Sequence, residues 1–167
     1  MIPNGPFLLC EIGDDRVAIE AADVREILPV LPLWRPPTLP RPLAGFIRVR
    51  GEVLPVLAPA ILFGTADAGP LDVFAHIVRT HGEPHASLCL LVDRVEDLVS
   101  PDPAAVRPID AGASQNGAFV AELDLDGGMA HLLALDRLLD ESERARIAAL
   151  TEDAARREEL WSATDAA

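Results

Sequence analysis

The chain has 167 residues, enough for one well-buried domain or two small sub-barrels sharing a core, and its hydrophobic fraction of 50% supplies the material. The charged fraction of 25% is that of an ordinary globular protein, yet the formal net charge is -13, with no lysine and arginine as the basic side chain throughout. Such a balance lacks the basic face that nucleic acid or an anionic membrane surface requires, and argues against both as partners.

The N-terminal stretch Met1-Ile2-Pro3-Asn4-Gly5-Pro6 has no basic n-region, and the apolar run after it is broken by Glu11. No secretory signal is expected, and a cytoplasmic location follows as the expectation. The uncharged stretch from Val53 to Gly64 holds two prolines and falls short of the ~20 residues of a spanning helix. Cys10 and Cys89 each sit in an apolar run and read as small buried hydrophobes, without a disulfide framework.

In chain order, Phe7 to Ile12 is a short apolar run closed by the turn signal Gly13-Asp14-Asp15. Arg16 to Glu20 follows with Val17 and Ile19 on one face, so the two segments predict a β-hairpin. The spacing of Val24, Ile27 and Leu28 predicts a short amphipathic helix over Ala21 to Leu28, stopped by Pro29. Residues 29 to 42 carry six prolines around Trp34 and Arg35. Each proline removes a ladder donor, so the segment is an extended connection, packed between strands or presented as a proline-rich ligand.

Gly45 to Arg50 alternates, with Ile47 and Val49 on one face and Arg48 and Arg50 on the other. Gly51-Glu52 turns the chain and Val53 to Leu57 returns as the partner strand. Ala60 to Phe63 predicts a helical turn capped by Gly64, and a loop of small residues, Thr65 to Pro70, closes this half. Val73 to Arg79 and Ala86 to Val92 predict two strands around the turn His81-Gly82-Glu83-Pro84. Asp93 to Ser100 continues the second or bends away, and Pro101 to Pro108 is another connection. Phe119, Ala121, Leu123 and Leu125 share one face of a strand that turns at Asp126-Gly127-Gly128 and pairs back through Met129 to Ala134. Many short strands with a turn every ten or so residues predict small barrels. From about Leu135 the pattern is helical. Ile147, Leu150, Ala154 and Trp161 fall near one stripe, either laid back on the barrels or offered to a partner, with Trp161 the anchor in both cases. Residues 162–167 are expected to fray.

Three segments, in order, resemble the CheW-like coupling proteins of bacterial chemotaxis. The first is Val24-Arg25-Glu26-Ile27-Leu28 followed, after the proline-rich gap, by Leu43-Ala44-Gly45-Phe46-Ile47-Arg48-Val49-Arg50-Gly51-Glu52-Val53-Leu54-Pro55-Val56. It looks like the family's helix, glycine, strand, Arg-Gly hairpin and Pro-Val return strand. The second is Leu90 to Leu98, similar to a Val-Asp-x-Val element, and the third is Leu132 to Leu139, similar to a closing strand and helix. The resemblance covers Phe7 to Leu139. It implies a mainly β fold of two intertwined, five-stranded SH3-like barrels with short helices, extended here by a C-terminal helix over residues 140–161. It further implies an adaptor without catalytic activity or cofactor, whose partners are the regulatory domain of a CheA-type histidine kinase and the signalling tip of a chemoreceptor. Two departures stand out. Ala58-Pro59 replaces the usual Asp-Leu, which bears on the local helix start, and Arg48 replaces a common asparagine, which alters polarity on a face expected to touch partners.

The resemblance makes Arg50, Arg48, Glu26, Val24, Gly45, Glu52 and Leu54 the candidate partner-binding residues. Arg50 can fork onto a partner's carboxylate, as interface arginines do, or pair internally with Glu52 and pin the hairpin. Val24 serves an interface or, by its spacing, the core. Glu26 is a contact or a solvated charge. Gly45 serves backbone geometry at the strand entry. His76, His81 and His85, with Cys89 nearby, raise the alternative of a metal- or ligand-binding sensory protein, although the spacing matches no zinc-finger pattern. An adaptor of a different chemosensory array, serving surface motility or development, is the alternative within the same class. Enzymatic function has little support: there is no Gly-rich phosphate loop and no Gly-x-Ser-x-Gly elbow.

Overall fold

The first two strands are apolar on both faces, and that sets the architecture. In β1 (Phe7–Ile12), Leu8, Cys10 and Ile12 enter one core cluster while Phe7 and Leu9 enter another; in β2 (Asp15–Glu20), Val17 and Ile19 go one way and Ala18 the other. Strands that bury both faces need partners on both sides, and the rest of the chain supplies them. A computed structural model describes residues 2–64, 73–81, 87–110 and 117–165.

After the β1–β2 hairpin the chain crosses to a second sheet and lays down β3 (Val24–Pro29), β4 (Leu43–Val49), β5 (Glu52–Leu57), β6 (His76–Thr80) and β7 (Cys89–Val92) in the order β3-β6-β7-β5-β4. It then returns to the first sheet with β8 (Arg94–Val99), β9 (Val106–Pro108), β10 (Phe119–Leu125) and β11 (Gly128–Leu133), giving the order β8-β1-β2-β11-β10-β9. Both sheets are mixed, since β11 runs parallel to β2 and β7 parallel to β5. Each sheet forms one SH3-like, barrel-type half, and the two are intertwined because the first hairpin belongs with the end of the chain.

The return occurs at Asp93, which settles whether residues 93–100 continue β7 or bend away. They bend away. The Asp93 N–H donates to the Glu11 carbonyl at 2.9 Å, and its carboxylate accepts from the Gly13 N–H at 2.6 Å, tying the crossover to the β1–β2 turn.

Three apolar clusters result. One lies within the first half (Phe7, Leu9, Ala121, Leu123, Leu132) and one within the second (Ile47, Val49, Leu54, Val56, Ile77). The third is shared, with Leu8, Cys10 and Ile19 meeting Phe46, Leu57, Val78 and Leu90. Each fully buried large apolar side chain contributes roughly 1.5–3 kcal/mol relative to exposure. Burial pushes the thiols of Cys10 and Cys89 up to about 12, so both remain neutral, free and buried at ordinary pH.

The helix expected over Ala21 to Leu28 is not formed. Ala21–Asp23 makes a single 3-10 turn, and Val24–Pro29 is an edge strand paired with β6. Its burial alternates: Val24, Glu26 and Leu28 are half-buried, Arg25 and Ile27 exposed. Val24 and Leu28, four positions apart, share a face in a strand as they do on a helix, while Ile27 turns outward, and a free sheet edge decided between the two periods. Pro29 is tolerated because it closes an edge strand.

Smaller differences follow. The strand expected from Val73 begins at His76, and β7 begins at Cys89. The proline-rich connection docks on the outer edge of β4 through Trp34 and Phe46, which exchange two backbone hydrogen bonds of 2.9 Å. The first helix, α1 (Pro59–Leu62), is a single turn with Ala58 at its N-cap; alanine has no side-chain acceptor for the free N–H groups, in keeping with the Ala58-Pro59 departure. The second, α2 (Glu141–Asp165), runs past Trp161. Asp140 caps it: its carboxylate accepts from the Glu143 N–H, and the Glu143 carboxylate accepts from the Asp140 N–H, both at 2.7 Å. Ile147, Leu150 and Ala154 pack on the shared core, so the helix lies back on the barrels. Trp161 is 74% exposed and is not the anchor. The loop Thr65 to Pro70 and most of the turn after His81 lie outside the described residues.

Candidate functional site

Glu26, Arg50 and Glu52 converge at one end of the second half, around a residue the sequence reading passed over. Arg79, on β6, is 1% exposed and lies between the two acidic strands' side chains. Its Nη1 donates to Glu26 Oε1 at 3.2 Å across the β3–β6 pair, and its Nη2 donates to Glu52 Oε2 at 2.7 Å. β7 and β5 follow β6 in the sheet, so Arg79 reaches over β7 to Glu52. A guanidinium inside a barrel half must be paired, and its two carboxylates do this from half-exposed positions. The Arg79 Nε has no acceptor among the described residues. The signal was an arginine closing the apolar run Ile77-Val78-Arg79: a charge in a buried strand implies opposite charges within reach.

Arg50 was expected on the strand, opposite Ile47 and Val49. It lies in the turn instead. β4 ends at Val49, and Arg50 (φ 48°) and Gly51 (φ 82°) form the two-residue connection to β5, both left-handed, as a type I′ hairpin turn demands. The left-handed conformation costs a non-glycine residue about 1 kcal/mol. It aims the side chain toward β3, where Nη2 donates to Glu26 Oε1 rather than pairing with Glu52. Hydrogen bonding from Arg50, supported by Arg79, holds the Glu26 carboxyl below the usual carboxylate range. Two arginines and two glutamates thus make a mutually neutral cluster in which Arg79 is enclosed and Arg50, with its side chain 64% exposed, faces outward.

The remaining candidates divide. Gly45 (φ 151°) lets the proline-rich connection reach the sheet: a Cβ there would lie 2.8 Å from the Trp34 carbonyl oxygen. Leu54 is 2% exposed and belongs to the core of the second half, beneath the hairpin. Val24 packs partly against the shared core. Arg48 points outward from β4 and pairs with Glu158 of α2 at 3.0 Å. Beside Glu52, a groove of about 560 Å³ runs between β5 and α2, lined by Val53, Leu54, Pro55, Leu88, Leu139 and Ile147.

The His76 Nδ1 lies 2.8 Å from the Phe74 carbonyl, His81 is exposed, and His85 lies outside the described residues. Among the described residues, no three His, Cys, Asp or Glu side chains come together as a metal-binding group, and no helix is long and apolar enough to cross a membrane.

Comparison with known proteins agrees with the arrangement of sheets and hairpin. The chain is 29% identical over 134 residues to a probable chemotaxis protein CheW of Rhizobium etli, covering 79% of this chain and 85% of the relative. It is 28% identical over 135 residues to the chemotaxis protein CheW of Rhizobium meliloti, covering 80% and 86%. The crystal structure of the scaffolding protein TtCheW from Thermoanaerobacter tengcongensis shares the fold with a TM-score of 0.72 at 20% identity, over 84% of this chain and 90% of that one. The model of the CheW-like domain matches residues 6–143, and the chain belongs to that family.

Proposed function

We propose that this CheW-like chain is a non-enzymatic, cytoplasmic adaptor that couples chemoreceptors to a CheA-type histidine kinase, and that its Arg50 hairpin docks on the kinase's regulatory domain. The observation that carries the kinase surface is Arg50 itself. It accepts a strained left-handed backbone at a turn where glycine or asparagine would be relaxed, and it holds an exposed guanidinium against Glu26. Backbone strain of this kind gathers at functional positions. The enclosed Arg79 beneath it fixes Glu26 and Glu52, so the hairpin meets a partner already ordered, which reduces the entropy lost on binding. An arginine with a polar rim is what an interface anchor needs. Receptor state then biases the kinase through a shared adaptor, a coupling of two binding events.

The test is binding of the purified protein to the regulatory domain of each histidine kinase encoded in the same genome, with Arg50→Ala alongside. Micromolar or tighter binding, equivalent to about 8 kcal/mol, is expected for one of them. Arg50→Ala should weaken it at least ~10-fold while changing folding stability by about 1 kcal/mol or less. Failure of every kinase domain to bind the folded protein would end the adaptor reading. Binding that Arg50→Ala leaves unchanged would move the kinase surface elsewhere on the chain.

A further inference from the structure

Helix α2 lies almost wholly beyond the family's matched segment, which ends at residue 143, and its two halves are held differently. The first half is anchored. Its capping box closes the N-terminus, the Arg144 guanidinium donates to the Leu135 and Asp136 carbonyls at 3.0 Å each, and Ile147, Leu150 and Ala154 pack on the shared core. From Ala155 to Trp161 no residue is fully buried. This distal half nevertheless lies over the outer face of the β4–β5 hairpin. Glu158 pairs with Arg48 there, and Trp161 stands at the rim of a hollow of about 350 Å³ with Trp34, Phe46 and Val53. Arg48 is two residues before Arg50, so the segment outside the family's matched region covers the flank of the proposed docking hairpin.

We propose that the distal half of α2 is an autoinhibitory latch on the β4–β5 hairpin, closed by the Arg48–Glu158 ion pair and opened by unwinding of the helix from its C-terminal end. The proposal rests on the kinase-docking reading of that hairpin and adds its regulation. Helix ends unwind readily, and the anchored half stops the unwinding near Ala154. A half-exposed ion pair is a weak closure, so the latch opens easily and opens further at high salt.

Hydrogen exchange on the full-length protein tests the latch without a partner. Amides of residues 155–161 should exchange faster than those of residues 147–154. Glu158→Arg should speed the distal set about two- to five-fold and leave the anchored set alone, and the double variant Arg48→Glu with Glu158→Arg should restore the original rates. Affinity for the kinase regulatory domain should rise by a similar factor in Glu158→Arg. Distal amides that are as slow as the anchored ones and indifferent to Glu158→Arg would overturn the latch. Faster exchange without a gain in affinity would overturn its gating role while leaving the adaptor reading intact. No binding by either protein would overturn the adaptor reading, and the gating role with it.

Discussion

The two halves of the molecule use one construction with different degrees of enclosure. In the first half, Arg16 on β2 reaches over β1 to Glu96 on β8 at 3.1 Å and donates to the Gly128 carbonyl of neighbouring β11 at 3.2 Å. In the second, Arg79 on β6 bonds Glu26 of neighbouring β3 and reaches over β7 to Glu52 on β5. Each arginine therefore ties together three strands. The side chain of Arg16 is 25% exposed, whereas that of Arg79 is 2% exposed. Water can replace the partners of the first and cannot readily replace those of the second. The second half also carries Arg50 outside the tie, a cation that the first half's hairpin end, at Gly13-Asp14, does not have. A sealed internal charge thus leaves a glutamate oriented at the surface, and the exposed arginine uses it.

The largest effect should come from breaking the sealed tie. Arg79→Ala removes a buried side chain of large volume and leaves two carboxylates facing each other, and should cost about 2–4 kcal/mol in denaturant unfolding. Arg79→Met keeps most of the volume without the charge, and should recover part of that loss. Arg16→Ala should cost about 1 kcal/mol or less, because its ion pair is partly solvated. Equal losses for Arg79→Ala and Arg16→Ala would break the comparison, since enclosure would then be irrelevant.

Next comes the docking of the proline-rich connection on β4, which in the second half is held by a single bridge at Trp34 and Phe46, where the first half pairs the three-residue strand β9 on β10. Gly45→Ala forces a Cβ to within 2.8 Å of the Trp34 carbonyl and demands a backbone angle that alanine avoids. The expected cost is about 1–3 kcal/mol, with a change in Trp34 fluorescence as the Trp34–Phe46 pairing loosens. A silent substitution would mean that the connection is not held by its two backbone hydrogen bonds.

How much of this was legible follows from where the information sits. The hairpins at Gly13-Asp14 and Asp126-Gly127 were visible because turn chemistry is local, and the β4–β5 hairpin was visible too, though its turn was read at Gly51-Glu52, one residue late. The inward set Phe119, Ala121 and Leu123 was visible because strand alternation needs only neighbouring residues. Val24 to Leu28 was misread as helix because Val24 and Leu28 share a face under either period and Ile27 fits the helical one, and the edge of β6 that decided the matter lies some fifty residues away. Arg79 was passed over for the same reason: its partners Glu26 and Glu52 are separated from it by 53 and 27 positions. Arg50 was recognised as exposed and basic, but its partner was not, because a left-handed turn redirects a side chain in a way that strict alternation does not describe. Trp161 looked like an anchor because it falls near the helical stripe of Ile147, Leu150 and Ala154, yet only the first half of α2 has a core beneath it.

The smallest and most specific effect is a dependence of stability on acid that belongs to the second half. The Glu26 carboxyl ordinarily titrates near 4.5, and the bonds from Arg50 and Arg79 hold it lower in the folded protein. A carboxyl whose folded value is depressed is charged in the native state while its unfolded counterpart has begun to take up protons. Its stabilising contribution is therefore fully present above about 4.5 and is lost as pH falls toward the depressed folded value. Thermal unfolding of the wild type and Glu26→Gln should differ most at neutral pH and draw together below about 4.5. Arg50→Ala should narrow the same difference at neutral pH, because the bond from Arg50 is the leading cause of the depression. A gap between wild type and Glu26→Gln that stays constant down to pH values well below the ordinary carboxylate range would mean that Glu26 is merely solvated, and that Arg50 is not oriented by it.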